Sequence, residues 1–349
     1  MIVTRTPFRV TLGGGGTDLP SFYRAHGGFI FAMGIDKYMY IMLNAPTLDA
    51  KIRLHYSRSE VVDHVSELRH ELAREALRLH GFEAKIEISS MADLPDGTGL
   101  GSSGAYLVGL LTALHHYRRA PVSLQTIAEQ ACHIELDVLA KSIGKQDQYM
   151  AALGGLTVLE IDRAGAVAVR SVDVPAASLD AFVANTHLYY TGQRRSAVEV
   201  LRDQNEALRL PAHPNGASTT DALLRIRDLG YRILEAVETE DYDAWGRLLH
   251  EHWLSKKRLS HRISLSAVDD VYEHVRLEYG VLGGKIAGAG GGGFLLLYAP
   301  ADHCRLEAFM ASRGMPRLHY RIEPRGTTVI ADQGSVPPPR LRHAVLPAS

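Results

Sequence analysis

The stretch Asp93–Tyr117, DLPDGTGLGSSGAYLVGLLTALHHY, constrains the chain more than any other part of it. Gly99, Gly101 and Gly104 bracket Ser102 and Ser103, and an apolar run without a breaker follows from Ala105 to Tyr117, so a helix is expected to start at the glycine loop. Such a loop can turn several backbone N–H groups into one concavity, and the helix start adds its positive dipole end. An anion can be held there without a lysine. Ser102 or Ser103 can cap the helix, and a spare hydroxyl could instead ligate Mg²⁺ on a nucleotide. The same residues also fit GxGxxG, the dinucleotide fingerprint. That fingerprint needs a buried parallel strand directly before the loop and an acid about 20 residues further on. Here the strand candidate at 84–90 alternates as a half-exposed strand does, Pro95 interrupts, and the downstream position falls on Arg118 and Arg119. No GxxxxGK[ST] occurs, since Lys285 is followed by Ile286.

At 349 residues the chain is long enough for two domains. A net charge of −1, from 38 basic and 39 acidic residues, provides no global field for nucleic acid or an anionic membrane, so small molecules are the expected partners. Cys132 and Cys304 are too few for a disulfide framework, and nothing resembles a signal peptide or a membrane span, which points to the cytoplasm.

In chain order, Ile2–Leu12 alternates as a strand, with Pro7 tolerable only at an edge or irregularity. It ends at Gly13, Gly14, Gly15 and Gly16, where the backbone can approach a ligand closely. Thr17 and Asp18 follow with a hydroxyl and a carboxylate suited to sugar hydroxyls; a flexible turn is the plainer alternative. Residues 28–44 suggest two strands with a turn at Asp36-Lys37, and 67–80 an amphipathic helix whose His70 and His80 face solvent. Ser123 is placed to cap a helix over 124–139 that carries Glu129 and Glu135. Asp147, in GKQDQY, stands at a loop-to-helix junction, where, taken alone, an N-cap is the better reading.

From about residue 185 helices dominate, which places a domain boundary near 180–190. His250-Glu251-His252 lacks HExxH spacing, so no metal is expected there. A second cluster, Gly288-Ala289-Gly290-Gly291-Gly292-Gly293, precedes a strand at 294–298. A helix at 304–312 and strands at 318–323 and 327–331 complete an α+β layer ahead of a Pro-rich tail.

Three motifs thus stand in order: Thr6–Leu12 with the glycine run and Asp18, then Gly99–Gly104, then Gly288–Gly293. Together they resemble the GHMP small-molecule kinases, over about residues 1–332. The resemblance implies a two-domain α+β fold. Residues 1–185 would form a ribosomal-protein-S5-like ATP-binding domain and 186–349 a ferredoxin-like one, with both substrates in the cleft between. It implies that Gly99, Leu100, Gly101, Ser102, Ser103 and Gly104 wrap the ATP phosphates, and that Ser103 and Glu135 ligate Mg²⁺. Asp147 would face the hydroxyl being phosphorylated, with Arg9 steadying it. Gly14, Gly15, Gly16, Thr17 and Asp18 would hold the sugar, and Gly290 and Gly291 would help close the site. Gly104 departs from the family's usual alanine and is expected to loosen the helix start.

Gly13–Gly16 stands where galactokinases have Gly-Glu-His, which argues against galactose. GGGGTDLP together with YTGQRR at 190–195 most resembles the branch of the family that phosphorylates D-glycero-D-manno-heptose 7-phosphate at its anomeric hydroxyl, on the route to GDP-heptose for surface glycans. Arg195, helped by Arg194, is expected to bind the acceptor's remote phosphate. A fucokinase-like sugar 1-kinase is the alternative. A non-catalytic sugar and nucleotide sensor is a third reading, disfavoured because Arg9, Ser103, Glu135 and Asp147 are all present. The expected partners are ATP and a sugar phosphate, with a homodimer left open. An anomeric hydroxyl is more acidic than a plain alcohol, so an ionised Asp147 could take its proton late in the transfer while Arg9 offsets the new charge.

Overall fold

The computed structural model describes residues 1–193, 197–209, 216–260 and 262–334. The chain opens on β1 (Ile2–Gly14), α1 (Pro20–His26) and the long β2 (Gly28–Asn44). β1 and β2 pair antiparallel, and their register slips where Pro7 faces Tyr38 and Phe8 faces Ile35. Asp36 and Lys37 are the extra residues of this bulge. Residues 28–44 are therefore one strand, and the expected turn at Asp36-Lys37 does not exist. Proline brings no N–H to the ladder, and an irregularity opposite it absorbs the gap.

There follow β3 (Ile52–His55), β4 (Ser59–Val62), α2 (Glu71–Leu79), β5 (Ile86–Ala92), α3 (Ser102–Tyr117), α4 (Leu124–Cys132), α5 (Gln146–Leu153), β6 (Leu156–Ile161) and β7 (Val167–Ser171). His70 is the N-cap of α2 and accepts from Ala73 N, so that helix starts later than residue 67. His80 is buried, not solvated, and burial pushes its imidazole down to about 3. Ser123 caps α4, which runs on into a π-helical turn, His133–Val138, that carries Glu135.

The rest of the chain is α6 (Ala176–Asn185), β8 (Thr186–Tyr190), α7 (Ala197–Arg209), α8 (Gly216–Glu238), α9 (Tyr242–Lys257), α10 (Ser266–Glu278), β9 (Gly283–Ile286), β10 (Phe294–Tyr298), α11 (His303–Ser312), β11 (Arg317–Leu318) and β12 (Thr328–Asp332). The Pro-rich tail lies outside the described residues.

The first sheet runs β12-β1-β2-β5-β3-β4, with β6 and β7 branching from β2. The branch is possible because Gly28–Met33 pairs with β6 and Met39–Asn44 with β5, one on each side of the bulge. β12 returns to pair with β1, so the end of the described chain completes the first sheet. The second sheet, β11-β8-β10-β9, is antiparallel. Every residue of β10 is buried, and alternate side chains enter different cores: Leu295 and Leu297 join Tyr272, Leu306 and Met310, whereas Phe294, Leu296 and Tyr298 join Trp245 and the first sheet's core. A continuous apolar run is what a strand covered on both faces requires. The two halves meet where α8 lies against β1: a Cβ on Gly230 would stand 3.0 Å from Gly14 N and 2.7 Å from the Phe29 ring.

Candidate active site

A cavity of about 600 Å³ opens beside the Asp93–Gly101 loop. The loop turns on Gly97, Gly99 and Gly101, with φ of 70, 77 and 85°, values that favour glycine. Gly101 is the N-cap of α3, and no side chain caps that helix. Neither Ser102 nor Ser103 is thus used as a cap; both border the cavity, and Ser103 is exposed. Residues 93–101 intervene between β5 and α3, so the loop does not follow its strand directly as the dinucleotide fingerprint requires.

Arg9, on β1, is 3% exposed. Its Nε and Nη2 donate to the same oxygen, Asp147 Oδ1, at 2.8 and 2.6 Å, and Nη1 donates to Gly99 O at 2.7 Å. Asp147 sits in the first turn of α5, where the N-cap is Lys145, so the N-cap reading of Asp147 fails. Gly104 explains how α3 and α5 come so close: a Cβ there would lie 2.9 Å from the Asp147 Cβ and carbonyl carbon. Glycine at 104 is a packing requirement and not a loosened helix start.

Asp18 and Glu135 supply buried carboxylates to the same cavity, at 2% and 1% exposure. Asp18 Oδ2 accepts from Gln146 N at 3.0 Å, and a Cβ on Gly144 would overlap that oxygen. Burial pushes the Asp18 carboxyl up, and the neighbouring Asp147 adds to the rise. Gln148 Nε2 donates to Glu135 Oε2 at 2.5 Å, and Lys141 Nζ stands 3.7 Å from Oε1. Burial raises the Glu135 carboxyl too, opposed by Lys141.

Of the other residues singled out in the sequence, Gly15, Gly16, Gly99 and Gly101 line the cavity. Leu100 is buried behind it, its carbonyl accepting from Arg9 N at 3.1 Å. Gly14 and Thr17 are not among the lining residues: the Thr17 hydroxyl donates to Phe29 O at 2.7 Å, and Gly14 O accepts from His252 Nε2 at 2.5 Å. Gly290 and Gly291 pack on Ile263, with Gly291 N donating to Ile263 O at 2.7 Å; the part of that cluster reaching the cavity is Gly288 and Ala289. Arg194 and Arg195 lie outside the described residues. Among the described residues no group of three or more His, Cys, Asp and Glu could hold a metal. His252 faces Gly14 while His250 bonds Tyr272 Oη, so the His-Glu-His run is structural.

Residues 62–155 match the GHMP kinases N terminal domain, and residues 233–303 match the GHMP kinases C terminal. The chain belongs to the GHMP kinases. This GHMP kinase is 26% identical over 310 residues to a D-glycero-alpha-D-manno-heptose 7-phosphate kinase of Campylobacter jejuni, covering 85% of this chain and 89% of the relative. It is also 26% identical over 335 residues to an L-fucokinase/L-fucose-1-P guanylyltransferase of Bacteroides fragilis, covering 84% of this chain and 34% of that longer protein. The crystal structure of a D-glycero-D-manno-heptose 1-phosphate kinase from Bacteroides thetaiotaomicron shares the fold, with a TM-score of 0.78, 22% identity and coverage of 96% and 100% of the two chains. The kinase is ATP-dependent, as its family is. No described helix is long and apolar enough to cross a membrane.

Sequence reasoning missed two lysines at the kinase's cavity. Lys141 bridges Glu135 and Glu71, standing 2.8 Å from the latter. Lys256, on α9, donates to Ile286 O at 3.0 Å and to Gly288 O at 2.5 Å, and burial lowers its ammonium to about 7. Nothing in the local pattern separates Lys256 from its neighbour Lys257, which is half-buried and pairs with Asp269; only the packing of α9 on β9 does.

Proposed function

We propose that this kinase transfers the γ-phosphoryl group of ATP to the anomeric hydroxyl of a sugar phosphate, with D-glycero-D-manno-heptose 7-phosphate as the acceptor. The observation that carries the reading is the Arg9–Asp147 pair beside the glycine loop: Oδ1 is clamped by the guanidinium, and Oδ2 has no hydrogen-bond partner among the described residues. One carboxylate oxygen is thus oriented and the other is left for an acceptor hydroxyl. The heptose 7-phosphate kinase relative supports the choice of sugar, and the product would feed nucleotide-activated heptose for surface glycans.

Residues 1–185 supply the acceptor-facing pair and the cradle, and 186–349 supply Gly288, Ala289 and Lys256 to the same cavity. Gly99–Gly104 hold the ATP phosphates through backbone N–H groups and the start of α3. Asp18 accepts hydrogen bonds from sugar hydroxyls between Gly15, Gly16 and Gly144. Arg195, with Arg194, holds the remote phosphate. Asp147 receives the acceptor proton as the new P–O bond forms, and Arg9 offsets the charge passing through that point. The donor set fits Mg²⁺: Ser103 supplies a hydroxyl and Glu135 a carboxylate, hard oxygens that such an ion combines with phosphate oxygens and water. When bound, it would neutralise phosphate charge.

The test is ADP release with ATP and a panel of acceptors. Heptose 7-phosphate should turn over with the highest kcat/KM. A preference for free L-fucose would transfer the proposal to the fucokinase-like alternative, and no turnover with any sugar would refute it.

A further inference from the structure

Arg9 and Lys256 grip the two glycine loops on either side of the point where those loops touch. A Cβ on Gly288 would stand 2.5 Å from Gly99 O, and one on Gly99 would stand 2.8 Å from Ala287 O, so the loops meet backbone to backbone. Arg9 Nη1 holds Gly99 O, and Lys256 Nζ holds Gly288 O. Lys256 also borders the cavity, although it is only 9% exposed. An ammonium has three N–H donors. Two go to the carbonyls of Ile286 and Gly288, and the third has no hydrogen-bond acceptor among the described residues. No described carboxylate pairs with Lys256, nor with Lys285, which donates to Leu12 O at 3.1 Å behind it. His252, buried nearby, is held neutral. A buried cation without a counter-ion is costly unless a ligand provides one.

Resting on the kinase reading above, we infer that Lys256 binds the phosphoryl group in flight, as a second charged contact beside Arg9. The transferring group must lie between the cradle at Gly99–Ser103 and the acceptor at Asp147. Lys256 and Asp147 line the same cavity, and Lys256 is anchored to Gly288 where that residue meets Gly99 of the cradle. In the step itself the acceptor oxygen forms the new P–O bond. The bond from the γ-phosphorus to the bridging oxygen breaks with its electron pair staying on ADP, and the acceptor's proton goes to Asp147. Lys256 keeps its own proton and donates a hydrogen bond to the equatorial oxygens, whose charge is fixed in place by a group that needs no reorganisation. Burial, and then the nearby Arg9, disfavours the charge on Lys256, with Lys285 and neutral His252 beside it, and an incoming phosphoryl restores that charge. Binding of a nucleotide with a γ-phosphate therefore draws a proton to the site.

The experiment uses the whole chain with Mg²⁺. Calorimetric titration with the non-hydrolysable analogue AMP-PNP and with ADP, each in two buffers of different ionisation enthalpy near pH 7.5, reads proton uptake. Wild type should take up more protons with AMP-PNP than with ADP. Lys256→Met should abolish that difference, lower kcat by about 10²- to 10³-fold and leave ADP affinity nearly unchanged. Lys256→Gln, which keeps N–H donors for the two carbonyls, carries the test should the methionine variant not fold. Equal proton uptake in variant and wild type, or near-normal kcat in either variant, would overturn the assignment. Absence of sugar phosphorylation by wild type strikes the kinase reading instead, and the AMP-PNP titration still judges whether Lys256 meets a γ-phosphate.

Discussion

Arg9 binds a single oxygen of Asp147 with two of its nitrogens, at 2.6 and 2.8 Å, while its third nitrogen holds Gly99 of the phosphate loop at 2.7 Å. One guanidinium thereby fixes the distance between the acceptor carboxylate and the donor cradle. Arg9→Met and Asp147→Asn should each lower kcat by about 10²-fold or more, from loss of general-base and electrostatic contributions. Affinity for ADP, measured by calorimetry, should change little, because neither group addresses the base or ribose. Near-normal turnover in Asp147→Asn would return that residue to a structural role.

Gly104→Ala places a methyl carbon 2.9 Å from Asp147, closer than real Cβ contacts come. α3 and α5 must separate, at a cost of about 1 to 3 kcal/mol for overpacking. The melting temperature should fall, and kcat should fall with it as Asp147 moves from its place. An alanine variant with wild-type stability and kcat would show that the interface yields freely.

Asp18 is held above its ordinary value of 3.8, chiefly by burial. A raised folded-state pKa means that the fold favours the protonated form. The contribution to stability is therefore fully present below the unfolded value and is lost as pH rises through the folded one. Asp18→Asn removes that loss. By calorimetry it should melt on the order of 2 °C higher than wild type at about pH 8, with the gain shrinking toward pH 4, while sugar turnover declines. A lower melting temperature than wild type at pH 8 would contradict this account of Asp18.

Glu135→Gln should raise the Mg²⁺ concentration required for half-maximal activity by about 10-fold, since a charged oxygen ligand becomes neutral. Lys141, deprived of one of its two carboxylate neighbours, retains Glu71 at 2.8 Å, so helical content by circular dichroism should be unchanged. An unaltered Mg²⁺ titration would assign Glu135 to a purely structural pair with Lys141.

The parts of the fold legible in sequence are those whose pattern is local. The glycine loop and the apolar run of α3 announce each other within 25 residues, and β10 is a five-residue apolar run between turn signals. β4, β7 and α6 bury at most one side chain each, so their periodicity carries little information. The single strand at 28–44 was hidden because Asp36-Lys37 looks like a turn unless the opposite strand's Pro7 is known to face it. In the site, acidic and glycine motifs stood out by composition. Lys256, Lys141 and the packing role of Gly104 depend on contacts between residues distant in sequence, which no local spacing encodes.

Transfer of a phosphoryl group to an anomeric oxygen is visible in the phosphorus NMR spectrum of the product. With ATP and D-glycero-D-manno-heptose 7-phosphate, a new phosphorus signal coupled to the anomeric proton should grow in step with ADP, and Asp147→Asn should suppress both. A new ester at any other carbon, or ADP formed without a sugar-bound phosphate, would contradict the account.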